Sequence, residues 1–119
     1  FNLSLDLFTI LNAEGRLTQP NPAWESVLGW SARDLQSKQD WDLIDPDGHQ
    51  HAIKGHERIL SGETLTEVEY RCLCKDDGHR WILWNARLIP AESSIYLIGT
   101  GRDGGDQRRQ NHCAGQYSA

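Results

Sequence analysis

No run of apolar residues in this chain approaches the ~20 that a membrane-spanning helix needs, so no contact with a membrane is expected from this segment. Its opening, Phe1-Asn2-Leu3-Ser4, lacks both the basic start and the long apolar stretch of a secretory leader. The chain does not begin with Met and reads as a piece of a longer protein. Cysteine is scarce, with only Cys72, Cys74 and Cys113. An odd, low count argues against a secreted disulfide framework and fits a reducing compartment, so a cytoplasmic location is expected. Basic charge is short as well: the formal net charge is −5. An acidic surface repels phosphate backbones, and the one dense basic spot, Arg108-Arg109, sits in a polar tail where it reads as solvated charge. Nucleic acid is therefore not an expected partner. The motifs of catalysis are missing too: there is no G-x-S-x-G, H-E-x-x-H, P-loop or G-x-G-x-x-G, and Gly99-Thr100-Gly101 opens no helix. No enzymatic activity is expected of the segment itself, and it contains no internal repeat.

What remains is an ordinary globular composition: 119 residues, 38% apolar and 24% charged. That suits one domain with a single core and room for one small internal pocket. Asp6 to Asn12 (DLFTILN) reads as a strand, followed by a turn at Ala13-Glu14-Gly15 and a second short strand over Arg16 to Gln19. Asn21-Pro22 supplies a cap and a first-turn proline for a helix whose Trp24, Val27 and Leu28 share one face, with Gly29 to end it. Ser31 caps a second short helix, with Asp34 three residues on. After the short apolar piece Trp41 to Ile44, Asp45-Pro46 begins a longer helix to about Leu60, with Ala52, His56, Ile59 and Leu60 on its apolar stripe.

The period then changes from helical to alternating. Val68, Tyr70, Cys72 and Cys74 share one face of a strand over Glu67 to Cys74. Asp77-Gly78 marks a hairpin turn. In the strand Arg80 to Ile89, Ile82, Trp84, Ala86 and Leu88 face one way and Trp81, Leu83, Asn85, Arg87 and Ile89 the other. Ser94 to Thr100 is a last strand. Strands joined by tight turns are antiparallel, so the expected fold is α+β: a five-stranded antiparallel sheet with its short helices collected on one face. Large apolar side chains lie on both sheet faces, which predicts that the face opposite the helices packs against the N-terminal segment, a flanking helix or a second subunit.

This order of elements resembles the PAS fold with its C-terminal PAC motif. The segments that carry the resemblance are Leu7 to Leu35, LIDPDG (Leu43 to Gly48), ILSGE (Ile59 to Glu63), Glu69 to Trp84 and GTGRD (Gly99 to Asp103). It places a PAS/PAC sensor domain at residues 1–103. Family members follow the final Asp with Ile-Thr and an amphipathic helix. Here Asp103 precedes Gly104-Gly105-Asp106, and residues 104–119 read as a polar tail or linker.

The resemblance implies a sensory and dimerisation module of a two-component sensor histidine kinase, with cyclic-di-nucleotide enzymes as an alternative parent. It implies a homodimer, a covalently attached effector domain and a small ligand held between sheet and helices. Trp24, Leu28, Trp41, Ile44, His56, Ile59, Tyr70 and Trp84 would line that interior, and Arg102 and Asp103 would relay the signal. Two rival functions stay open: a ligand-free interaction domain, and a haem-based gas sensor using His56 or His49. For His56 the simpler account is a core histidine satisfied by a backbone group. No cofactor is the leading expectation. LOV-type flavin chemistry needs a reactive cysteine near the long helix, and none precedes Cys72. Cys72 and Cys74 could join a metal site only with two further ligands such as His79; small residues packing in a sheet account for them more simply.

Overall fold

The computed structural model describes residues 6–101 and 112–113. Apolar alternation in LFTIL builds β1 (Leu7–Leu11), whose Leu7, Thr9 and Leu11 are buried. Three helices follow: α1 (Ala23–Leu28), α2 (Ala32–Leu35) and α3 (His49–Leu60). Single 3-10 turns at Asp40–Leu43 and Pro46–Gly48 separate the last two. The chain then runs through β2 (Leu65–Leu73), β3 (Gly78–Ile89) and β4 (Ser94–Gly101), and the two-residue β5 (His112–Cys113) pairs with the start of β3.

The strands form one antiparallel sheet in the order β1-β4-β3-β2. The expectation of five full strands is corrected in one place. Arg16 to Gln19 does not form a strand; Leu17 and Arg16 make only isolated bridges, to Leu11 and Gln39. Two chain neighbours on either side of a tight turn can exchange a few hydrogen bonds without extending a ladder, and here the chain leaves at once for α1. The sheet therefore has four strands, with β5 added beside Gly78 and His79 beyond the last β4 pair at Ile82.

Local chemistry explains most element ends. Gly29 ends α1 at φ +88, and Asp77 (φ +73) with Gly78 (φ +87) makes the β2–β3 turn, two successive positive-φ positions that suit a hairpin. Ser31 and Asp34 form a reciprocal capping box on α2. Asn21 does not cap α1 as expected. Its Oδ1 accepts from Phe8 N at 3.0 Å and its Nδ2 donates to Asp6 O at 2.9 Å, tying β1 to the helix start instead. Asp45 likewise caps no helix with its side chain; its carboxylate faces Arg71 (3.9 Å) and His79 (3.8 Å) across the sheet edge.

The helices cover the sheet face that carries Ile82, Trp84 and Ala86 of β3, Ile95 and Leu97 of β4, and Cys72 of β2, all buried. Trp24 and Leu28 of α1 and Ile59 of α3 complete this core. On the opposite face Trp81, Leu83, Ile89 and Ile98 are half-buried, and Tyr96 is 37% exposed.

Candidate functional site

Between α3 and the inner sheet face lies a cavity in which the centre of a water molecule has about 30 Å³ to move. Its walls are mainly apolar, including Leu11, Ile44, Ala52, Ile59, Leu65, Ala86 and Leu97. Four polar side chains interrupt them: Asp40, His56, Tyr70 and Trp84.

The turn after β1 positions two of these. Ala13 O accepts a 3.0 Å hydrogen bond from His56 Nε2, and Gly15 O accepts one of 2.8 Å from Asp40 N. Trp41 leans over Gly15, where an added Cβ would fall 2.7 Å from the ring, and meets the His56 ring edge-on at 5.4 Å between centroids. Because a carbonyl can only accept, the His56 proton sits on Nε2. In the neutral ring Nδ1 is then a bare acceptor. His56 is 6% exposed, and its Nδ1 has no hydrogen-bond partner.

Trp84 and Tyr70 come from the sheet. Trp84 is 5% exposed and stacks on Trp24, with centroids 5.8 Å apart. The indole N–H groups of Trp24 and Trp30 donate to the carbonyls of Phe8 (2.9 Å) and Leu73 (3.0 Å). Trp84 Nε1 finds no such acceptor, although it lies close enough to the Cys72 thiol to act on it. Tyr70 Oη is also buried without a partner. A buried polar atom left unpaired costs about 1–3 kcal/mol, so three around one cavity are a cost that an occupant would remove.

Burial and, secondarily, the charge of Asp42 push the Asp40 carboxyl up to about 7. Burial raises the Tyr70 hydroxyl, with the Asp40 charge adding to it. Burial also pushes the Cys72 thiol up to about 12, so Cys72 is an inert core thiol.

Of the residues that the sequence nominates for the interior, Ile44, His56, Ile59, Tyr70 and Trp84 line the cavity. Trp24 and Leu28 lie in the core beside it, and Trp41 backs His56 from behind. His49 is occupied locally, its Nε2 2.8 Å from Ile44 O. A haem macrocycle does not fit a space of this size, and His56 Nε2 is committed to Ala13. Cys74 is joined to Cys113 in a disulfide with Cα atoms 5.5 Å apart, so it offers no thiolate to a metal, and the odd cysteine count conceals one bridge. Among the described residues no group of three His, Cys, Asp or Glu side chains converges as a metal site. Arg102 and Asp103 lie outside the described residues. Sequence reasoning missed Asp40: in Asp40-Trp41-Asp42 an acid beside an aromatic looks like turn chemistry, and nothing in the spacing marks it as facing inward.

The family model for the PAS fold matches residues 18–100. The chain belongs to the PAS-fold family. A curated relative, neuronal PAS domain-containing protein 4-like from Danio rerio, is 30% identical over 91 residues, which are 76% of this chain and 14% of the relative. The PAS segment thus spans about a seventh of that protein's length. Among solved structures, a domain of a sensory box sensor histidine kinase/response regulator from Geobacter sulfurreducens superposes with a TM-score of 0.68 at 25% identity, covering 87% of both chains. The PAS domain of the RpfR quorum-sensing receptor from Cronobacter turicensis, in complex with BDSF, gives 0.71 at 16% identity over 84% of this chain and 96% of that one. The last shares the fold alone. A PAS domain is a regulatory module, and among the described residues no helix is long and apolar enough to cross a membrane.

Proposed function

We propose that this PAS domain is the sensory and dimerisation module of a larger signalling protein, a sensor histidine kinase first and a cyclic-di-nucleotide enzyme second, and that it binds a small ligand between α3 and the sheet. The observation that carries the ligand is the cavity, three of whose lining side chains each hold a buried polar atom without a hydrogen-bond partner. The Geobacter neighbour supports the kinase parent, and the Cronobacter neighbour, a ligand-bound receptor, supports a ligand in this fold. A ligand acts by favouring one conformation over another, and α3, whose His56 is bonded to the turn after β1, is the element it would bias.

In this proposal residues 1–103 are the sensor and 104–119 a linker, with relay through Arg102 and Asp103, which directly follow β4. The half-buried apolar stripe of Trp81, Leu83, Ile89 and Ile98 beside exposed Tyr96 supports a homodimer through the outer sheet face. In this proposal the domain works in the cytoplasm, where a reducing poise keeps Cys74 and Cys113 as thiols until oxidation closes their bridge, and it leaves catalysis to its effector domain. The small size of the cavity favours a second reading, a ligand-free interaction domain. Saturation-transfer NMR of the chain mixed with a small-molecule cell extract separates the two. Transfer to a component of the extract, lost when the protein is denatured, is the expected result; no transfer to any component would favour the second.

A further inference from the structure

The chemistry of the cavity wall narrows its occupant. His56 Nδ1 presents an acceptor, Trp84 Nε1 a donor, and Tyr70 Oη either. Asp40, near neutrality at the midpoint of its titration, can donate as an acid or accept as a carboxylate. Lys and Arg are absent from the wall, so an anion would meet Asp40 with no opposing charge. A cation could pair with Asp40 but would leave the Trp84 N–H facing another donor. A hydroxyl group suits both orphans together, giving its proton to His56 and accepting from Trp84. The centre of one bound water needs about 10–15 Å³ of free space, so about 30 Å³ admits a molecule of only a few atoms.

We propose that the cavity binds an uncharged small diol or alcohol, about two to four non-hydrogen atoms in size, through His56, Tyr70, Trp84 and Asp40. This rests on the reading of the cavity as a ligand site and specifies its chemistry. A four-atom ligand binds no tighter than on the order of tens of micromolar, so the complex is expected to be weak and to track the concentration of a metabolite present in the millimolar range.

The test is an NMR titration of the full ¹⁵N-labelled chain, following the Trp84 indole N–H resonance, assigned with Trp84→Phe. The probes are ethylene glycol, glycerol, n-hexanol and sodium dodecanoate. A saturable shift with ethylene glycol, weakened about tenfold in Tyr70→Phe by loss of one hydrogen bond, is expected. Gly55→Ala should fold, because its methyl would sit 3.5 Å from Leu65 Cδ1 and 3.6 Å from Tyr70 Oη, ordinary contact distances at the cavity wall. It should abolish the saturable shift. Saturation by hexanol or dodecanoate but not by ethylene glycol would overturn the proposed chemistry while keeping the cavity a ligand site. Shifts linear in concentration for every probe would overturn the proposal, and, joined to an absence of saturation transfer to any component of the extract, the ligand-binding reading as well.

Discussion

Gly99 stands directly opposite Trp84 in the β3–β4 ladder, and the indole ring lies across it so closely that any Cβ at Gly99 would overlap the ring. The bare glycine lets the Trp84 ring lie against the sheet at the cavity wall. Gly99→Ala should displace the ring and destabilise the domain by about 1–3 kcal/mol, the usual cost of overpacking a filled core. Urea unfolding checks this, with tryptophan emission of the folded state reporting the ring. An unchanged midpoint and spectrum would contradict the packing described.

Asp40 makes stability depend on pH in an unusual direction. Its carboxyl titrates near 7 in the folded protein against an ordinary 3.8, so between those values the folded state holds more protons than the unfolded one. Stability should therefore fall as pH rises from about 4 to about 7 and level off above, by at most about 4 kcal/mol. Asp42 from the same turn, His56 from α3, and Tyr70 and Cys72 from β2 surround the group. Asp34, lowered to about 2 by Lys75, and Glu63, lowered by Arg58, act in the opposite sense at lower pH. Chemical denaturation of wild type and Asp40→Asn at pH 4.5 to 8 isolates the effect. The variant should be the more stable at pH 8, with the difference shrinking toward pH 4.5. Parallel curves would refute the assignment.

The Cys74–Cys113 bridge closes a loop with a sequence separation of 39. On the chain-entropy account a loop of this size is worth about 4 kcal/mol, so reduction should lower the unfolding midpoint markedly. Alkylation followed by mass spectrometry tests the pairing. Denatured, unreduced protein should take up one label, at Cys72, and reduced protein three. Native protein should label slowly, because burial holds the Cys72 thiol in its unreactive form. Three labels without reductant would show that the bridge does not form.

The elements were legible in the sequence where pattern and punctuation agree. Ser31 with Asp34, Gly29, and Asp77-Gly78 each sit at the boundary their chemistry requires. Alternation assigned Ile82, Trp84 and Ala86 to the inner face because one side of the sheet is covered. Local signals misled where a side chain has a distant partner. Asn21 has cap chemistry but is taken by β1, and Arg16 to Gln19 has hairpin chemistry but continues into a helix rather than a ladder. Within the site, His56 was legible from its helical stripe. Asp40 was not, since only the tertiary contact of its turn with Gly15 sets it at the cavity. The bridge of Cys74 to Cys113 likewise joins residues whose proximity no spacing reveals.

A crystal structure at a resolution that shows ordered solvent is the most direct measurement of the central relationship, the convergence of His56, Tyr70, Trp84 and Asp40 on one space. Density for a non-protein occupant within hydrogen-bond reach of His56 Nδ1 and Trp84 Nε1 is the predicted result. A cavity collapsed by rotation of those rings, with Trp84 Nε1 donating to a protein carbonyl instead, would contradict it.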